Sequence, residues 1–126
     1  DCLSKYPGIT DAVASACTAC VIDAAPPNME WACAATCADP SLVTTGAVGK
    51  ACGACVVSGS GANAWGCKQC LSNAVTLASQ VSQDVDPVRL SCLNCVKATG
   101  QSWECSECLK QPTMTKVKQC LAALGV

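Results

Sequence analysis

Cysteine is the residue of this chain whose type and spacing could do chemistry. Of 126 residues, 14 are Cys. Cys17/Cys20, Cys52/Cys55, Cys67/Cys70, Cys92/Cys95 and Cys105/Cys108 form five C-x2-C pairs; Cys33/Cys37 is a C-x3-C pair, and Cys2 and Cys120 stand alone. Such pairs serve three chemistries: thiol–disulfide exchange, four-thiolate zinc sites, and structural disulfides.

Exchange needs a thiolate stabilised by a helix N-terminus or a cation, beside a free partner. Six similar pairs in register argue against one active pair, and Arg89 and Lys97 make no cationic cluster. Zinc fits the spacing of three sets of four cysteines, but Val21, Val56 and Val96 follow where zinc knuckles turn tightly, and Cys2 and Cys120 are left over. Disulfides use all 14 sulfurs and are the expected state, without metal or other cofactor; four-cysteine zinc binding stays as an alternative.

No other constellation competes. The chain has no His, so no imidazole base or ligand. Asp84 and Asp86 flank Pro87 in a capping position, and Glu104 and Glu107 read as solvated helix surface. Eight basic against nine acidic residues give a net charge of -1, which offers nucleic acid no electrostatic footprint. Gly, Ser, Asn and Gln interrupt the longest uncharged stretches, so no membrane span is expected.

The elements that must position the sulfurs follow from a repeat. V-x3-C-x2-C-V occurs three times, from Val13 to Val21, Val48 to Val56 and Val88 to Val96. Its side chains at i, i+4, i+7 and i+8 lie on one stripe of a helix. Each copy precedes a W-x-C element, Trp31/Cys33, Trp65/Cys67 and Trp103/Cys105. In the second of these the stripe continues through Cys70, Leu71, Ala74, Ala78 and Val81. Asp39-Pro40 and Asp86-Pro87 read as helix starts, and Thr113 as the last cap.

The expected fold is therefore an all-α, disulfide-rich tandem array of antiparallel helical hairpins in one domain, residues 1–126. It has three full units, about 11–38, 40–83 and 87–111, and two terminal half-units, 1–10 and 112–126. Large apolar residues are few, with three Trp, one Tyr and no Phe, so covalent staples must offset chain entropy.

Antiparallel geometry predicts nested bridges: Cys20–Cys33 inside Cys17–Cys37, Cys55–Cys67 inside Cys52–Cys70, Cys95–Cys105 inside Cys92–Cys108, and Cys2–Cys120. Pairing of consecutive cysteines along the chain is the competitor. A helix begun at Pro40 puts Cys52 roughly 18 Å along its axis, out of reach of Cys37. Nested pairs on a helical hairpin resemble the plant α-hairpinins, built on two C-x3-C elements and including protease inhibitors and antimicrobial peptides. The resemblance covers the cysteine skeleton and carries over no functional residue.

Trp31, Trp65 and Trp103 recur two places before a cysteine, so they project from the same side of each element. They are expected to cover a disulfide or the neighbouring helix; otherwise they form an aromatic row for a protein partner. The function expected is a non-catalytic structural or interaction protein, with an accessory subunit of a larger assembly as its concrete form. A secreted inhibitor, toxin or antimicrobial ligand is the alternative. So many cysteines point to the extracellular space or an oxidising organelle lumen, reached after removal of a signal or transit segment.

Overall fold

The computed structural model describes residues 45–58 and 63–124, together with residues 13–15, 17, 20, 36, 37, 42 and 43. Leu42 lies in a turn and Val43 is not helical. Helix α1, Gly46–Val57, begins only after Thr45, whose hydroxyl accepts the Val48 N–H at 3.3 Å. A side-chain acceptor there satisfies one of the amides that a first turn leaves unpaired. The expected start at Asp39-Pro40 lies outside the described residues, but a helix running unbroken from Pro40 is excluded by Leu42 and Val43.

Helix α2, Ala64–Gln80, buries Gly66, Cys67, Cys70, Leu71, Ala74 and Leu77. Ala78, expected on the stripe, is exposed; Val81 caps the helix in extended conformation and is partly buried against the core.

Helix α3, Asp86–Thr99, starts one residue earlier than a cap at Asp86 implies. Val85 stands at the N-cap with no side-chain bond, while the Asp84 carboxylate accepts the Asp86 N–H at 3.0 Å. Asp86 instead pairs with Arg89 one turn on. Gly100 closes α3 in the left-handed region, at φ 71°, its N–H donating to Val96 O at 2.9 Å.

Helix α4, Ser102–Glu107, runs into a 3-10 turn at Cys108–Lys110. Thr113 then caps helix α5, Met114–Ala123, accepting the Lys116 N–H at 3.2 Å, as its position predicts. The protein is mostly helical, with no strand among the described residues.

Helix packing follows two rows. α1 lies against α3 and α3 against α5; α2 lies against α4; and α2 also packs on α1 and α3. Between the rows is one core of Val, Leu and sulfur, including Val56, Leu71, Leu93, Val96, Leu109 and Val117.

Five disulfides thread this core: Cys37–Cys52, Cys55–Cys67, Cys70–Cys92, Cys95–Cys105 and Cys108–Cys120. Cys17 and Cys20 are also disulfide-bonded, and no described cysteine is free. Cys2 and Cys33 lie outside the described residues. The inner pairs Cys55–Cys67 and Cys95–Cys105 are those the hairpin geometry predicts. The outer nested pairs and Cys2–Cys120 are wrong, because Cys37 takes Cys52, Cys70 takes Cys92 and Cys108 takes Cys120; the five described bridges follow the consecutive pairing instead.

Two physical reasons account for the difference. Because α1 starts at Gly46, Cys52 is only about 9 Å along it rather than 18 Å, and the Cys37 and Cys52 Cα atoms are 5.5 Å apart. Moreover, a helix in an isolated hairpin has one neighbour, whereas α2 lies against helices on both sides in sequence. Residues i and i+3 diverge by about 60° around a helix. Cys67 therefore reaches back to α1 and Cys70 forward to α3, and Cys92 and Cys95 of α3 divide in the same way between α2 and α4.

Candidate interaction surface

Trp65 and Trp103 occupy the first turns of α2 and α4. Each is followed two residues on by a cysteine bridged to the preceding helix, Cys67 to Cys55 and Cys105 to Cys95. The first turns are thereby fastened covalently just beyond each indole.

Gly66 sets how closely α2 and α4 approach. A Cβ at Gly66 would lie 2.4 Å from both Cβ and Oγ of Ser102 and 2.9 Å from its Cα, so backbone meets backbone there. Ser102 immediately precedes Trp103, and Gly66 immediately follows Trp65. The close approach brings the two indoles together, with ring centroids 6.3 Å apart and planes within 3° of parallel. Offset stacking of this kind contributes about 0.5–1.5 kcal/mol beyond area burial.

Polar contacts hold the frame. Ser106, 2% exposed, donates its hydroxyl to Trp103 O at 3.1 Å. Asn73 of α2 donates to Ser106 O at 2.9 Å and ties α2 to α4 a second time. Buried Asn63, just before α2, donates to Ser58 Oγ at 2.9 Å; Ser58 donates in turn to Cys55 O. The Thr99 hydroxyl donates to Cys95 O at 2.7 Å and accepts the Gln101 N–H at 3.1 Å, shaping the short link from α3 to α4.

Despite this support the indoles are not core. Trp65 is 51% exposed and Trp103 60%, the largest apolar groups on the described surface. Half or more of each indole is open to solvent, so neither is a buried residue, and the two rings stack on each other. Trp31 lies outside the described residues. Gly66 and Ser102, which position the pair, escape a reading built on Cys and Trp; the signal present was a glycine in the first turn of a helix, where nothing but a close approach calls for one.

Two shallow clefts lie on the described surface. One of about 170 Å³ lies among Asn73, Thr76, Gln80, Leu109 and Lys110, and one of about 80 Å³ along Ala51, Ala54, Leu90 and Lys97. Both are well below the roughly 300 Å³ at which small-molecule sites begin. Among the described residues no group of His, Cys, Asp or Glu could hold a metal ion. A sulfur in a disulfide is not a thiolate ligand, so the four-thiolate sets of the zinc reading are taken up by pairing wherever they are described. No described helix is long and apolar enough to cross a membrane.

Comparison with protein-family models, with curated proteins and with solved structures finds no match for this chain. The α-hairpinin likeness extends only to the cysteine spacing, and the bridging of Cys37 to Cys52 departs from its nested pairs.

Proposed function

We propose that this chain is a non-catalytic structural and interaction protein of an oxidising compartment, an accessory subunit that presents a rigid aromatic surface to a protein partner. Its architecture on this reading is a tandem array of helical hairpins, units about 11–38, 40–83 and 87–111 with half-units at 1–10 and 112–126. The disulfides suit an extracellular or lumenal setting, where such bridges persist.

The observation that carries the reading is the exposure of Trp65 and Trp103 on first turns that disulfides, Ser106 and a Gly66 contact hold in place. Exposed aromatics that have already lost their conformational freedom are what interfaces use as anchors. A solvated loop would need no such fixing.

The test is retention of partners from the native source by the oxidised wild-type protein and by a Trp65→Ser/Trp103→Ser variant. A chain held by the first and lost by the second, with both baits folded, supports the reading. Equal retention by the two overturns the assignment of this surface.

A further inference from the structure

We propose that the free face of Trp103, together with Glu104, receives an arginine side chain of the protein partner. The inference rests on the interaction reading above and names the chemistry of the group that docks. It begins from what occupies the two sides of the Trp103 ring. Trp65 stacks along one of them, within 3° of parallel, yet Trp103 remains 60% exposed. An indole face is therefore left open to solvent.

The surroundings of that face follow from the equivalence of the two W-x-C elements. In α2 the residue after the Trp is Gly66, and it meets Ser102 of the next helix in the row. In α4 the corresponding residue is Glu104, which is exposed. By that equivalence Glu104 faces the side on which a further helix of the α2–α4 row would lie. None of the described helices lies there: after Glu107 the chain passes through Cys108–Lys110 into α5, which packs with α3. A carboxylate at the close-approach position is also incompatible with the backbone contact that Gly66 makes, so this side of α4 is polar among the described residues. The open indole face and Glu104 thus share one side of α4.

Charge selects the occupant. Glu107, one turn along, is already paired with Lys110 at 2.8 Å, whereas Glu104 has no ion-pair partner among the described residues. The group wanted is planar, to lie on indole, and cationic, to meet the carboxylate. Guanidinium is both: it stacks on aromatic faces and offers paired N–H donors to carboxylate. A lysine ammonium satisfies the charge but cannot stack as a plane, and a neutral aromatic leaves Glu104 unanswered. A second copy presenting the same patch brings another carboxylate and no cation. It would also rest on two indoles, where a stable interface needs about 800 Å² per side.

The experiment uses the intact oxidised protein and three blocked tripeptide probes, acetyl-Gly-Arg-Gly-amide and its Lys and Trp counterparts, followed by proton–nitrogen correlation spectra. The expected result is a saturable shift of the Trp103 indole N–H and the Glu104 amide, with Arg binding about two- to fivefold tighter than Lys. Glu104→Gln should weaken the Arg probe about threefold, and Trp103→Ser should abolish the shift while Trp65 still reports a folded protein. Equal binding of Lys and Arg, tighter binding of the Trp probe, no effect of Glu104→Gln, or no saturable shift overturns the proposal. So does dimerisation in sedimentation that Trp103→Ser removes. The native partner separates the two readings: a partner lost with Trp103→Ser but kept at full affinity with Glu104→Gln leaves the interaction surface standing and removes the arginine. A partner kept by both variants removes the surface itself.

Discussion

Gly66 and Ser102 stand so close that a Cβ on the glycine would lie 2.4 Å from the serine side chain and 2.9 Å from its Cα. Real Cβ atoms do not approach that near, and the obstacle includes backbone, so a larger residue must push α2 and α4 apart. In an ordinary helix, Gly→Ala stabilises by up to about 1 kcal/mol. Here the sign is expected to invert, with a loss of about 1–3 kcal/mol from overpacking. Thermal or denaturant unfolding of Gly66→Ala checks it. The coupled-indole signal in circular dichroism should weaken too, because the same contact sets the Trp65–Trp103 stack. A gain in stability with an unchanged indole signal would refute the close approach.

The exposure of Trp103 makes a contrasting prediction with buried Leu71. Leu71 is 0% exposed in the core between the helix rows, and its truncation to Ala is expected to cost about 2–5 kcal/mol. Trp103→Ser gives up chiefly the stack, about 0.5–1.5 kcal/mol. Denaturant titrations of the two variants with disulfides intact should therefore separate clearly. Equal losses would put the indole in the core.

Helical periodicity was readable because V-x3-C-x2-C-V commits four side chains to one face, and Val48, Cys52, Cys55 and Val56 of α1 are indeed all buried. The Thr113 cap was readable for the same local reason. Bridge partners were not, since spacing says which face a sulfur is on but not how many helices flank that face. Cys67 and Cys70 share a stripe and still part company, one to α1 and one to α3. The start of α1 follows the weaker local signal: Asp39-Pro40 is the stronger one, but Leu42 and Val43 are not helical and α1 begins only after Thr45. For the tryptophans, register was legible and exposure was not. An indole two residues before a bridged cysteine could have lain inward, and what turns Trp65 toward Trp103 instead is a glycine contact made 36 residues away in sequence.

Gly100 gives a backbone test of the link between α3 and α4. Its φ of 71° is left-handed, and an added Cβ would find open space, its nearest neighbour being Asn63 Oδ1 at 4.0 Å. The cost of Gly100→Ala is therefore conformational alone, about 1–2 kcal/mol. Gly100→Asn should lose less, because Asn tolerates this region. Unfolding measurements on both variants decide the matter; an equal loss for Ala and Asn would mean that space, not φ, is limiting.

Graded reduction should open the bridges in an order set by access to sulfur. Cys120 on α5 is partly exposed, whereas Cys37, Cys52, Cys55, Cys67, Cys70, Cys92, Cys95 and Cys105 are all 0% exposed. A thiolate must reach a disulfide sulfur directly to displace it, so Cys108–Cys120 is expected to open first. That bridge ties α5 to the 3-10 turn and no other pair of elements, so the α1–α4 disulfides should survive its loss. Brief treatment with a small reductant, alkylation and peptide mapping should label Cys108 and Cys120 before any other described pair. The same maps, made without reductant, should link Cys37 to Cys52 and Cys70 to Cys92, with no alkylation of the described cysteines. First labelling at Cys55 and Cys67 would show that the helix rows open more readily than α5 detaches. Peptides joining Cys52 to Cys70 would restore the nested hairpin pairing and remove the one-bridge-per-neighbour arrangement along with it.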